Sequence, residues 1–168
     1  MTATAVEICI DASQESSARN ALTAAYMGGA DRVEVCASMD VDGTTPPRQR
    51  IRLARDIFVD RPGVICMIRP RGGDFFYSPA EVDAMVGDIE CAARDGADGV
   101  ALGALHPAEN CLDFGALRAL TEAQRAELLN EGCLHGVAYW PEGGDPNLSL
   151  IHISEPTRRR GISYAVFC

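Results

Sequence analysis

Cys9 and Cys36 sit near the far ends of two short β-branched runs, VEICI at Val6 to Ile10 and RVEVC at Arg32 to Cys36. Thiolate sulfur is a soft donor. Two cysteines facing each other on neighbouring strands could therefore hold a soft metal ion. The plainer alternative is that both fill a core, as small free cysteines commonly do. A second constellation shares their side of the strands. Alternation places Glu7 with Cys9, and Arg32 and Glu34 with Cys36. With Arg69 they bring two carboxylates and two guanidiniums together, which persist inside a protein only as paired, hydrogen-bonded groups. That set reads either as an internal salt-bridge network or as a pocket for an anionic small molecule. In the pocket reading Arg69 and Arg71 act as bidentate clamps. Gly72 and Gly73 then permit close backbone approach, and Asp74 serves as cap or base.

The other chemical residues carry less. Cys66 has the opposite alternation and should face helices. Cys91, Cys111 and Cys133 have no partner at ligand spacing. Phe75, Phe76 and Tyr77 read as loop packing, and His106 as an ordinary loop residue.

Composition removes several function classes. All 15 basic residues are arginine, so lysine Schiff-base chemistry, a pyridoxal-phosphate lysine and a P-loop lysine are excluded. The formal charge of -9 argues against a nucleic-acid or anionic-membrane partner. No stretch approaches the ~20 apolar residues of a membrane span, and no secretion signal opens the chain. Seven cysteines, an odd number with no CxxC pair, predict reduced thiols in the cytoplasm rather than a disulfide framework. Without CxxC or HxxxH, a closed zinc site is not expected.

The elements that must position these residues alternate. Strands are predicted at 6–10, 32–36, 64–68 and 99–102, and helices at 12–27, 48–59 and 79–94. Two shorter helical stretches follow, at 113–120 and 121–129. Ser78 is an N-cap with Pro79 at N1 and Glu81 at N3. Val82, Met85, Val86 and Ile89 form one apolar stripe on the helix that follows. VAYW, beyond Asn130, reads as a fifth strand or a loop. Gly29-Ala30-Asp31 and Gly96-Ala97-Asp98 repeat ahead of the second and fourth strands. Repeated βα units imply an α/β fold with a parallel sheet. A central doubly wound strand is apolar on both faces, whereas a barrel strand carries polar groups inside. The polar alternation of Glu7, Arg32 and Glu34 favours a partial TIM-type (β/α) barrel of about four βα units.

The strings EICID, GGADRVEVC, DGTTPP, MIRPRGGDFFYS and GADGVALGAL, in this order, resemble the copper homeostasis protein CutC family over Val6 to Leu105. MIRPRGGDF is the most specific of them. The resemblance implies a TIM-type barrel, a small cytosolic protein that is a homodimer at full length, and copper(I) binding or handling. Three departures stand out. The first helix is longer than usual, the FHRAFD-like strand has no counterpart in CLHGVAYWPEGGDPN, and all later strands are absent. A complete barrel takes ~250 residues, so about half of one is expected here.

From Leu148 the string LSLIHISEPTR reads as a translated transposase sequencing adapter, and Ile162 to Cys168 as the adapter's next segment in the same frame. Residues 1–147 are thus expected to be the partial barrel and 148–168 a non-native tail that packs poorly. The leading functional expectation is a copper homeostasis protein with copper(I) on Cys9 and Cys36. The alternatives are a barrel enzyme acting on an anionic metabolite through Glu7, Arg32, Glu34, Arg69, Arg71 and Asp74, or a gene fragment with no function.

Overall fold

The computed structural model describes residues 5–106, 112–128, 136–140 and 163–167. Four βα units run in order: β1 (Glu7–Asp11), α1 (Glu15–Met27), β2 (Arg32–Cys36), α2 (Arg48–Ile57), β3 (Val64–Met67), α3 (Pro79–Arg94), β4 (Gly99–Ala101) and α4 (Phe114–Leu128). The two helical stretches expected from 113 are one continuous helix, α4. The four strands form a parallel sheet in the order β1-β2-β3-β4. Strand order that never reverses is the winding of a barrel wall, whereas a doubly wound sheet reverses at its switch point.

The two faces of the sheet differ as the alternation requires. Ile10, Val33, Val35, Val64, Cys66, Ile68 and Val100 join the main core with Leu22, Ile51, Phe58, Met85 and Ile89 from the helices. Cys66 is therefore a helix-facing core residue, as expected from its alternation. On the other face, the register sets Glu7 beside Arg32, Cys9 beside Glu34, and Asp11 beside Cys36.

The repeated GAD turns have one physical job. Gly29 and Gly96 take φ of 85° and 95°, the left-handed region glycine adopts freely. The buried alanine then re-enters the core, with Ala30 and Ala97 donating to the carbonyls of Ala25 and Ala92. The aspartate reaches back to the start of the preceding strand. Asp31 accepts from the Val6 N–H at 2.7 Å, and Asp98 accepts from the Gly63 and Val64 N–H groups, each at 2.8 Å. Each turn thus satisfies a strand's first donors while aligning the next strand beside it.

Helix α3 begins as its sequence predicts. The Ser78 hydroxyl accepts from the Glu81 N–H, and the Glu81 carboxylate accepts from the Ser78 N–H at 2.7 Å. The backbone at Gly136–Trp140 (β5) forms an antiparallel pair with Ser163–Phe167 (β6), in a sheet separate from the parallel four. VAYW is thus a strand, but it does not extend the barrel wall. The tail segment 163–167, expected to pack poorly, is paired with it.

Candidate metal centre

The sulfurs converge at the C-terminal end of β1 and β2. Because Asp11 pairs with Cys36, Cys9 stands two residues before Cys36's partner on the same face. The two Sγ atoms are 3.3 Å apart. Cys36 is fully buried, and Cys9 is open to solvent. The Cys36 thiol also lies 3.4 Å from the Ile10 carbonyl oxygen and 3.2 Å from the Met39 Sδ. Two other sulfurs, of Cys9 and Met39, therefore lie close to that of Cys36. Among the described residues, no three His, Cys, Asp or Glu side chains form a metal-holding group. Met39 adds a thioether, which like thiolate is a soft sulfur donor.

The loop after β2 is folded back to make this possible. Met39 opens a single 3-10 turn, Met39–Val41, flanked by Ser38 and Asp42 with φ of 52° and 64°. Left-handed backbone at two non-glycine residues is sustained only by surrounding contacts. Ala37 and Thr44 close the loop with a pair of backbone hydrogen bonds of 3.0 and 2.7 Å. At one end the Ser38 N–H donates to the Ser13 Oγ at 2.8 Å. Ser13 is in turn fixed by Asp11, which accepts from its N–H at 2.9 Å and its hydroxyl at 2.5 Å. At the other end the Arg69 Nη1 donates to the carbonyls of Val41, Asp42 and Gly43 at 3.1, 2.8 and 2.9 Å. Gly43 has φ of 87°, and a Cβ there would lie 2.7 Å from the Met67 Sδ and 3.7 Å from the Cys36 Cβ. The left-handed φ is what calls for glycine at this position.

The electrostatics favour the protonated forms of Cys9 and Glu34. The Cys9 thiol is pushed well up, first by its hydrogen bond with Cys36, then by burial and by the negative charge of Glu34. Burial, followed by repulsion from Glu7, pushes the Glu34 carboxyl up, while a hydrogen bond with Cys9 works the other way. A metal held by Cys9 would have to displace its thiol proton.

The predicted charged residues divide into two groups. Glu7 and Arg32 form an ion pair of 3.0 Å beside the buried Glu34. Arg69 and Arg71 direct their groups elsewhere. Besides its three loop carbonyls, Arg69 donates through Nη2 to Gly73 at 2.7 Å and stacks 4.5 Å over the Phe75 ring. Arg71 pairs with Glu81 at 2.6 Å and Asp74 at 2.9 Å, and donates to the Phe76 carbonyl at 2.8 Å. Both arginines and Asp74 thus engage the protein's own loops. Phe75 packs with Leu105 and Leu112, and Tyr77 lies under Arg71 at 5.3 Å. Cys111 and Cys133 lie outside the described residues.

Sequence reasoning singled out Cys9 and Cys36 but passed over Met39. The signal was present as the spacing Cys36-x-x-Met39, which the left-handed backbone at Ser38 brings together.

The model of the CutC family matches residues 4–131. A CutC family protein of Bacteroides thetaiotaomicron is 50% identical over 103 residues, covering 61% of this chain and 40% of the relative. The human copper homeostasis protein cutC homolog is 44% identical over 100 residues, covering 60% of this chain and 34% of the relative. Among solved structures, a copper homeostasis protein CutC from Streptococcus agalactiae superposes with a TM-score of 0.63 at 31% identity. That match covers 73% of this chain and 56% of the other. The chain thus spans about 40% of the length of the bacterial relative.

Proposed function

Because the chain belongs to the CutC family, we propose that it acts in copper homeostasis by holding copper(I) between the thiolates of Cys9 and Cys36. The observation that carries this reading is the 3.3 Å approach of the two sulfurs at the C-terminal end of adjacent parallel strands. That end of a barrel wall is where such folds build their sites. The donors fit the ion, since two thiolates and a nearby thioether are soft and uncrowded. Cys9 gives an entry path from solvent, and buried Cys36 anchors the ion against the sheet.

The rival reading, a pocket for an anionic metabolite, draws less support from the geometry. Arg69 and Arg71, its intended clamps, already donate to backbone carbonyls and to Asp74 and Glu81. In the copper reading Glu7, Arg32 and Glu34 tune and brace the site. The full-length protein is expected to work in the cytoplasm as a homodimer. No helix among the described residues is long and apolar enough to cross a membrane.

Anaerobic titration of the chain with copper(I) bicinchoninate tests the reading. The wild-type chain should strip copper from the chelator, and a Cys9→Ser/Cys36→Ser chain should leave the chelator's colour intact. Equal stripping by both chains would remove the site from these cysteines.

A further inference from the structure

We propose that Met39 is the third ligand of this site, its thioether joining Cys9 and Cys36 in a three-sulfur copper(I) centre. The inference rests on the copper(I) reading above and adds a residue to it. Three observations carry it. First, the Met39 Sδ lies 3.2 Å from the Cys36 Sγ, as close as the Cys9 Sγ at 3.3 Å. Second, Met39 is not held there by core packing. It is 43% exposed and belongs to neither hydrophobic cluster. An unbranched methionine free of the core would ordinarily sample many rotamers. Third, the turn that carries it is braced from both sides at the cost of two left-handed residues, by Ser13 through Ser38 and by Arg69 through three consecutive carbonyls. Such bracing is intelligible if the position of the sulfur matters.

The chemistry of the third donor also decides selectivity. A thioether adds a soft contact and no charge, so the centre keeps the single negative charge of copper(I) with two thiolates. A carboxylate in that place would add charge beside Glu7 and Glu34 and would recruit harder ions. Zinc would still lack its fourth nitrogen or sulfur donor among the described residues. Arg69 is a positioning residue for this ligand, acting through the loop rather than on the ion.

X-ray absorption at the copper edge reads the sulfur number directly on the copper(I)-loaded full chain. The wild-type chain should show three sulfur neighbours, and Met39→Leu, which keeps bulk and removes the thioether, should show two. Because replacing even supporting groups of a metal site costs roughly 10–100-fold in affinity, Met39→Leu should weaken copper(I) binding by roughly tenfold or more in bicinchoninate competition. Two sulfurs in the wild-type chain, or unchanged affinity in Met39→Leu while Cys9→Ser/Cys36→Ser abolishes binding, would overturn the role of Met39 and leave the cysteine site standing. Binding that survives loss of both cysteines would overturn both readings.

Discussion

The guanidinium of Arg69, at the end of β3, holds the carbonyls of Val41, Asp42 and Gly43, so the loop that carries Met39 is fastened to a neighbouring strand 26 to 28 residues away. Arg69 is itself 4% exposed. Its guanidinium clamps this loop, because one planar fork satisfies several acceptors at once.

Replacement of Arg69 should therefore damage stability and copper binding together. Arg69→Ala leaves three loop carbonyls and that of Gly73 without their donor, and charged hydrogen bonds of this kind are worth about 1.5–3 kcal/mol. Denaturant unfolding should show a loss of at least about 2 kcal/mol. Arg69→Lys should recover only part of it, since an ammonium cannot reproduce the fork. Unchanged stability in Arg69→Ala would mean that the loop holds itself.

The thiols themselves make a second prediction. A disulfide needs a sulfur separation of about 2.05 Å, so Cys9 and Cys36 need close only a small gap. Diamide treatment of the metal-free chain should link them, and peptide mapping should find the Cys9–Cys36 pair with the buried Cys66 still reduced. Because the Cys9 thiol is raised and thiolate is the nucleophile, the reaction should be slow at neutral pH and quicken as pH rises. Bound copper(I) should block it.

A third prediction concerns acid. Asp95, at the C-terminal end of α3, accepts from Arg48 at 2.6 and 3.0 Å and from Arg52 at 2.7 Å, so α2 and α3 are joined through one carboxylate. The hydrogen bond from Arg48 is the main cause that holds the Asp95 carboxyl below the ordinary carboxylate value, and Arg52 adds to it. A lowered folded-state pKa stabilises the protein above the unfolded value near ~3.9 and is lost as pH falls through the folded value. Asp95→Asn should thus cost about 2 kcal/mol at neutral pH. Its thermal midpoint should also fall less steeply than that of wild type below about pH 4. Parallel acid profiles would remove Asp95 from the acid response.

Helix α3 offers a simpler check. Ser78→Ala removes the side-chain cap and should cost about 1 kcal/mol. Glu81, held down to about 2 by its hydrogen bond from the Ser78 backbone and by Arg71, keeps the reciprocal bond through most of the acid range. Circular dichroism at pH 4 and pH 7 should show the same helix content in Glu81-containing chains.

Much of this architecture was legible in the sequence, and the reason is local. The alternation in RVEVC and EICI separates the core-facing valines from Glu34 and Cys36, and Ser78, Pro79 and Glu81 write out their own helix start. The GAD repeats mark two equivalent turns before their shared hydrogen-bonding role is visible. What was hidden depends on backbone that no periodicity encodes. The left-handed residues Ser38 and Asp42 fold Met39 back over Cys36, and neither residue type announces that conformation. The direction of Arg69 was hidden for the same reason. Its charge is plain in the sequence, but its acceptors are backbone carbonyls on another loop, which carry no residue-type signal.

Proton release on metal loading gives the most direct test of copper(I) held by two thiols. Copper(I) takes cysteine as thiolate, so each thiol that enters the site gives up its proton on binding. In a lightly buffered anaerobic pH-stat, one equivalent of copper(I) should release about two protons from the wild-type chain. The Cys9→Ser/Cys36→Ser chain should release none. Copper uptake without proton release, or the same release from the double variant, would contradict a dithiolate site at Cys9 and Cys36.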